Sequence, residues 1–414
     1  MVTRIKKLIK NPDFASYVLF FACWTVYAVA CFGRNAFSSA NAAIAKEGLF
    51  SKDSLGLIGA GFYLFYSAGQ LVGGRLVDKT SPEKLVSIGL IAGIVSSLII
   101  ANTENFYVIL VSWCLNGLLQ FAIFPASISV ISTRIHKDFR RKALTYFAFT
   151  TPIGVLFSYL VSSILLKNNR WTSIFTSIAV VTVACLALWY LLTKKYSTAN
   201  FEHEQKSVEK VKESVPWKKL VAIGLIPMSI GAFIKSTLDL GVKAWIPTIL
   251  METYDLSASF SIFLTIFMVI LNISGVFIAD YFLKKFKGNE IKVASLLFLL
   301  SMPFIAGLLF MKYISLYSSV FFMSIFTTLM GANAQILLMY IPVRFTKYGC
   351  VGTVTGILNA CASFGTFLST YVFGLTAEYF GWTVTISIWI VLTFVGFLIF
   401  ALTSHKWKNF IKTL

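Results

Sequence analysis

The sequence contains few of the residues that a soluble enzyme needs. Only 13% of its 414 residues are charged and 57% are hydrophobic, whereas a soluble domain usually has about 25% charged residues. Its three histidines lie outside the apolar runs, and its six cysteines form no CxxC pair. It has no nucleotide-binding P-loop and no recognisable catalytic or metal-ligand motif. These absences argue against a soluble, ATP-driven or metal-dependent protein, and we expect no enzyme activity and no cofactor.

Long apolar runs dominate the chain instead. A helix needs about 20 apolar residues to cross a bilayer, and twelve runs approach this length. We predict membrane spans at residues 14–39, 54–77, 84–101, 106–132, 143–166, 171–192, 220–250, 258–282, 290–311, 315–342, 351–377 and 382–402. The first run is longer than the apolar core of a secretory signal, so we predict an uncleaved first span.

The distribution of lysine and arginine predicts the orientation. Of the 36 basic residues, 28 lie in the termini, loops and adjoining span ends on one side of the predicted membrane, 5 lie on the other side and 3 lie well inside spans. Because basic loops remain cytoplasmic, both termini are predicted to be cytoplasmic in a plasma membrane. The net charge of +19 is then explained by anionic membrane lipid, and we expect no nucleic-acid partner.

A polar stretch divides the spans into two sets of six. Residues 193–219 carry seven lysines and four glutamates and are predicted to form a cytoplasmic linker. We therefore predict an all-α membrane protein with a six-helix bundle in residues 1–192 and another in residues 220–414. The halves show weak similarity at an offset of 205 residues, which relates Arg34 to Asp239. Internal repeats of this kind are usual in secondary transporters.

Four charged residues are predicted to lie well inside spans: Arg34 in span 1 and Lys235, Asp239 and Lys243 in span 7. Each costs about 2.5–3.5 kcal/mol at a helix centre, so they should face a cavity or one another. The span 7 residues are spaced i, i+4, i+8 and share a helix face. With Arg34 they sum to a charge of +2, which favours an anion. The alternatives are a structural Lys235–Asp239 ion pair, a Lys243 side chain that reaches towards water, and an Asp239 that carries protons.

One loop motif resembles the signature of the major facilitator superfamily. The sequence Gly-Arg-Leu-Val-Asp-Lys at residues 74–79 matches G-x-x-x-D-R/K after span 2. The resemblance covers nearly the whole chain. It implies two bundles that alternate access to a central solute site, a monomer, and a cytoplasmic gate that contains Arg75, Asp78 and Lys79.

The spans also resemble those of the organophosphate–phosphate antiporter branch. Similar segments include residues 33–37, 61–70, 116–125 and 245–248. The resemblance implies a substrate role for Arg34. Where that branch has a second arginine, six residues before Trp245, this chain has Asp239, so the paired-arginine phosphate clamp is not carried over.

Polar and aromatic residues on the spans expected to line the path complete the predicted site. Taken singly, each of them is more often a helix–helix hydrogen bond or an interfacial aromatic contact than a solute contact, but as a set they are concentrated on these spans. The candidates are Tyr27, Tyr63, Tyr66, Asn116, Gln120, Trp245, Asn333 and Asn359.

We therefore predict a secondary active transporter of a small polar organic anion, such as a carboxylate, a sugar acid or a phosphate ester, with a proton or a counter-anion as the coupling ion. The alternatives are a proton-driven exporter of drugs or cations and a transporter-like solute sensor. A lipid-modifying enzyme would need a catalytic cluster that the sequence does not contain.

Overall fold

The computed structural model describes residues 12–147, 149–167, 170–196, 224–345 and 351–412. Within these ranges every regular element is a helix, and none is a strand. The predicted linker, residues 193–219, lies outside the described residues from residue 197 onwards. The predicted all-α fold class is therefore confirmed.

The helices of the first half follow the predicted spans. Span 1 consists of Pro12–Arg34 and Ala36–Lys46, span 2 of Lys52–Lys79, span 3 of Pro82–Ala101, span 4 of Phe106–Gln120 and Ile123–Arg134, span 5 of Lys137–Phe147 and Thr150–Leu165, and span 6 of Thr172–Tyr196.

The helices of the second half do the same. Span 7 consists of Leu225–Ser236, a π-helical turn at Thr237–Gly241, and Val242–Tyr254. Span 8 consists of Ala258–Asn272 and Gly275–Lys285, and span 9 of Glu290–Gly307. Span 10 consists of Leu316–Ala334, a π-helical segment at Gln335–Tyr340, and Ile341–Val343. Span 11 is Val351–Tyr379 and span 12 is Gly381–Lys412.

Hydropathy located the spans better than it located their ends. Ten helices among the described residues are long and apolar enough to cross a membrane, and the remaining two spans contain Lys52–Lys79 and Thr150–Leu165. Span 12 continues to Lys412, whereas apolarity predicts an end near residue 402. Its last turns are amphipathic, with Trp407 and Phe410 buried against Phe345. An average of hydropathy over a window does not predict a helix in such an amphipathic segment.

Polar residues before the helices explain several of their starts. The side chain of Asn105 accepts hydrogen bonds from the backbone amides of Tyr107 and Val108 at the start of span 4. Ser257, Asn289 and Ser315 cap spans 8, 9 and 10 in the same way. These caps satisfy amide groups that have no partner inside the helix.

The described residues fall into two compact units. Residues from 1–40 and 65–208 form one unit, and residues from 41–64 and 209–414 form the other. The units differ from the predicted halves at one place, because residues 41–64 group with the C-terminal residues. The boundary between residues 64 and 65 falls inside the unbroken helix Lys52–Lys79.

Both units contain a similar clasp at the helix ends predicted to face the cytoplasm. In one unit, Glu290 at the start of span 9 accepts hydrogen bonds from Arg344 Nε at 2.5 Å and from Trp407 Nε1 at 2.9 Å. In the other, Glu83 at the start of span 3 pairs with Arg134. Glu290 and Arg344 follow Glu83 and Arg134 by 207 and 210 residues. The clasps therefore support the predicted internal repeat.

We expect Glu290→Gln to destabilise the protein. Only 3% of the Glu290 side chain is exposed, whereas Arg344 is 36% exposed, so water weakens the pair only in part. The free energy of unfolding should fall by about 1–3 kcal/mol, which is measured as a lower melting temperature of the purified protein. Glu104→Gln is the control, because the Glu104–Arg170 pair is at least half exposed on both sides and should contribute little. Equal shifts in the two variants would contradict the clasp.

Candidate functional site

Arg34 stands at an interruption of span 1. The first helix of the span ends at Arg34 and the second begins at Ala36. The side chain of Asn35, between them, donates a hydrogen bond to the Cys31 carbonyl at 2.8 Å. Helix breaks in membrane proteins are typical of solute sites.

Aromatic rings hold the Arg34 side chain. Its guanidinium carbon lies 4.7 Å from the ring centre of Tyr66 and 5.8 Å from that of Tyr27. Tyr27 in turn stacks on Phe147 at 5.3 Å and packs against Phe124 at 5.1 Å. Cation–π attraction to the two rings restrains the orientation of the Arg34 side chain.

The charged residues of span 7 form a continuous ion-paired row. Lys235 Nζ lies 3.0 Å from Asp239 Oδ2, and Lys243 Nζ lies 2.5 Å from Asp239 Oδ1. The side chains of Lys235 and Asp239 are 4% and 8% exposed, whereas that of Lys243 is 27% exposed. One carboxylate thus bridges two ammonium groups, and the row has a net charge of +1.

The π-helical turn aligns this row. In a regular α-helix of 3.6 residues per turn, positions i and i+8 drift apart around the axis. A π turn holds nearly one residue more. The eight residue steps from Lys235 to Lys243, a stretch that includes Thr237–Gly241, therefore complete about two turns. The two lysines therefore lie one above the other, with Asp239 between them.

Span 11 supports the π turn. Thr237 Oγ1 donates a hydrogen bond to the Gly365 carbonyl at 3.2 Å. The two spans approach closely here, because a Cβ atom on Gly365 would lie 2.4 Å from the Phe233 carbonyl oxygen. Further along, Trp245 Nε1 donates to the Thr370 carbonyl at 3.1 Å. The position of Asp239 thus depends on backbone contacts with a second helix.

The other predicted residues divide into two sets. Tyr63 and Asn359 are partly exposed and stay predicted solute contacts. The side chains of the remaining ones are buried between helices. Gln120 Nε2 donates a hydrogen bond to Asn116 Oδ1 at 2.9 Å, and Trp245 is fully buried. Asn333 is also fully buried, and its side chain has no hydrogen-bond partner in the described part of the chain. The gating candidates Arg75, Asp78 and Lys79 lie outside the residues whose side chains are described.

Sequence reasoning missed the residues that position these charges. Phe124 and Phe147 hold Tyr27, and Thr237 and Gly365 hold the π turn. Their sequence contexts are ordinary apolar spans. No local pattern marks them, because their roles come from neighbouring helices.

The profile of the Major Facilitator Superfamily matches residues 23–361. The chain belongs to this superfamily. It is therefore a multi-pass membrane protein of this superfamily, as the resemblance of the loop motif at residues 74–79 predicted.

Characterised relatives are similar to parts of the chain. The voltage-gated purine nucleotide uniporter SLC17A9 of Mus musculus is 25% identical over 221 residues, which cover 51% of this chain and 49% of the relative. The probable L-galactonate transporter of Escherichia coli is 25% identical over 46% of this chain and 40% of its own length. The membrane sensor protein UhpC of the same species is 29% identical over 23% of this chain and 22% of its own length. The chain thus matches about half or less of the length of these relatives.

Solved structures show the same fold. A bacterial homolog of the human lysosomal transporter Spinster superposes with a TM-score of 0.79 at 13% identity and covers 96% of this chain and 98% of its own. A D-xylose–proton symporter superposes with a TM-score of 0.69 at 14% identity, over 94% of this chain and 96% of its own. At these identities the likeness concerns the fold alone.

Asp239→Asn should destabilise the protein more than Lys243→Met does. The first change leaves two lysines without their counter-charge, one of them buried, and breaking a buried pair costs about 3–5 kcal/mol. The second leaves the buried Lys235–Asp239 pair intact. Melting temperatures of the purified variants measure the difference, and the double variant Lys235→Met/Asp239→Asn should recover part of the loss. A more damaging Lys243→Met would show that the fixed pair had been assigned to the wrong lysine.

Proposed function

We propose that the protein is a secondary active transporter of a small polar organic anion. The observation that carries the proposal is the pair of cationic centres within the spans, Arg34 on its tyrosine support and the net positive row in span 7. Cationic groups in a low-dielectric setting concentrate anions and repel cations. A neutral solute would gain nothing from this field, and a cationic solute would be repelled by it.

Arg34 is the proposed anchor for the negative group of the solute. Its planar fork can donate two parallel hydrogen bonds to a carboxylate or a phosphate. The ring of Tyr66 at 4.7 Å restrains the side chain, so that less conformational entropy is lost when the anion binds. This pre-organisation favours a compact anionic group.

Lys243 is the proposed second cation, and Asp239 its exchangeable partner. Lys243 is the more exposed lysine of the row, whereas Lys235 and Asp239 form the buried pair. A solute anion can replace Asp239 at Lys243 while Asp239 keeps its contact with Lys235. In the empty carrier Asp239 contacts both lysines again, so that Lys243 keeps a counter-charge during the return. If Asp239 carried the coupling proton instead, protonation would remove the counter-charge of both lysines at once.

The names of several relatives are consistent with an anionic solute. They include a purine nucleotide uniporter, a probable L-galactonate transporter and, in Chlamydia trachomatis, a probable hexose phosphate transport protein. These solutes share a carboxylate or phosphate group and differ in the rest of the molecule. We therefore propose the anionic class, in a plasma membrane with both termini cytoplasmic, and no individual substrate.

A solute sensor is the second candidate function. The observation that favours it is the similarity to UhpC over 97 residues. A sensor would bind the same anion through Arg34 but would not move it across a membrane. Uptake of a bound anion into proteoliposomes supports the carrier, and binding without uptake supports the sensor.

A ligand screen by thermal shift tests the anionic class. Purified protein is heated with nucleotides, sugar acids, sugar phosphates, neutral sugars and lipophilic cations. A ligand at 100 times its Kd stabilises the folded state by about 2.7 kcal/mol, so organic anions should raise the melting temperature. Arg34→Ala should abolish this rise, and Arg34→Lys should weaken it because a lysine cannot bind bidentately.

Arg170→Ala is the matched control for this screen. Arg170 is an exposed arginine whose side chain pairs with Glu104 outside the spans, so its loss should leave the anion-induced shift unchanged. An unchanged shift in Arg34→Ala would show that Arg34 is not the anchor. Shifts by lipophilic cations alone would replace the proposal with a cation exporter centred on Asp239.

A further inference from the structure

A second ion-paired cluster surrounds the first turn of span 2, on the side predicted to be extracellular. Lys52 Nζ lies 3.1 and 3.2 Å from the two carboxylate oxygens of Glu252 at the end of span 7. It also lies 3.9 Å from a carboxylate oxygen of Glu378 at the end of span 11. The backbone amide of Lys52 donates a hydrogen bond to Glu378 at 3.1 Å. One residue therefore joins the start of span 2 to two other spans.

Span 12 completes the cluster. Trp382 Nε1 donates a hydrogen bond to Glu252 Oε2 at 2.7 Å, and Lys52 Nζ lies 5.8 Å from the centre of the indole ring. The indole thus holds Glu252 and covers Lys52. The side chains of Lys52, Glu252 and Glu378 are 18%, 30% and 33% exposed, so water screens them less than it screens the Glu104–Arg170 pair.

The backbones of spans 2 and 11 touch beside this cluster. A Cβ atom on Gly374 would lie 2.5 Å from the Lys52 carbonyl oxygen, and one on Gly56 would lie 2.8 Å from the Thr370 carbonyl oxygen. Glycine at both positions permits this approach. This close packing places Lys52 within contact distance of the carboxylates of Glu252 and Glu378.

The helix that begins at Lys52 links this cluster to the other compact unit. Lys52–Lys79 is one unbroken helix, and the boundary between the units falls after residue 64. A rigid helix transmits a displacement along its length. A displacement of this helix from Phe65 onwards therefore changes the position of Lys52 relative to its partners.

We propose that Lys52 is the latch of an extracellular gate. Its pairing with Glu252 and Glu378 stabilises the state in which the start of span 2 is docked on spans 7, 11 and 12. Opening to the outside requires the separation of Lys52 from both carboxylates, which leaves two like charges without their cation. The latch is distinct from the solute site and does not depend on which solute is carried.

Spin-label distances test the latch without any solute. Labels are placed at Glu47→Cys and Phe380→Cys, which are exposed and lie within five residues of Lys52 and Glu378 along the sequence. The native cysteines of the chain are replaced, and the protein is studied in lipid nanodiscs. Lys52→Met should increase the population of long distances by a factor of about 5 or more. Glu252→Gln/Glu378→Gln should have the same effect, and Lys52→Arg should keep the original distribution.

Glu104→Gln is the matched control, because it removes an ion pair on the same side of the membrane that does not involve span 2. Its distances should equal those of the parent. The latch is overturned if Lys52→Met leaves the distances unchanged, or if Lys52→Met changes them and the double glutamine variant does not. Melting temperatures of all variants within a few degrees of the parent show that the distances report on folded protein.

Discussion

The cost of placing charge inside a bilayer governs the polar architecture of this protein. A lysine, arginine or aspartate at the centre of a membrane helix costs about 2.5–3.5 kcal/mol. Span 7 carries three such groups within nine residues, and its structure reduces that cost by placing the carboxylate of Asp239 between the ammonium groups of Lys235 and Lys243. In span 1, the guanidinium of Arg34 makes cation–π contacts with the rings of Tyr66 and Tyr27.

The helix backbone is irregular next to both groups of embedded charges. Span 1 breaks next to Arg34, and span 7 widens into a π turn at Asp239, which is 205 residues further along the chain. An interrupted helix frees backbone groups that other residues have to satisfy. Asn35 does so within span 1, and Thr237 bonds to span 11. The two halves thus share a pattern in which a charged residue and a helix interruption occur together, although the charges have opposite sign.

Ion pairs also occur at the ends of the spans, where they join helices to one another. The clasps of Glu83 and Glu290 each join neighbouring helix ends within one compact unit. Lys52 differs from them because its helix runs from one unit into the other. In the proposed transport cycle, some ion pairs hold each compact unit together and others separate. The location of each pair along the chain distinguishes the two kinds.

The sequence alone determined the spans, the superfamily motif and the identity of the embedded charges, and it predicts the orientation of the spans. Hydropathy and charge are properties of consecutive residues, so they can be evaluated without knowledge of the fold. The tertiary structure decided which of those residues meet. Three such features depend on how the helices rotate and pack against one another. They are the contact of Arg34 with the ring of Tyr66, the burial of Asn116 and Asn333, and the ion pair between Lys52 and Glu252. The π turn also resists prediction, because contacts with Gly365 on another span stabilise it.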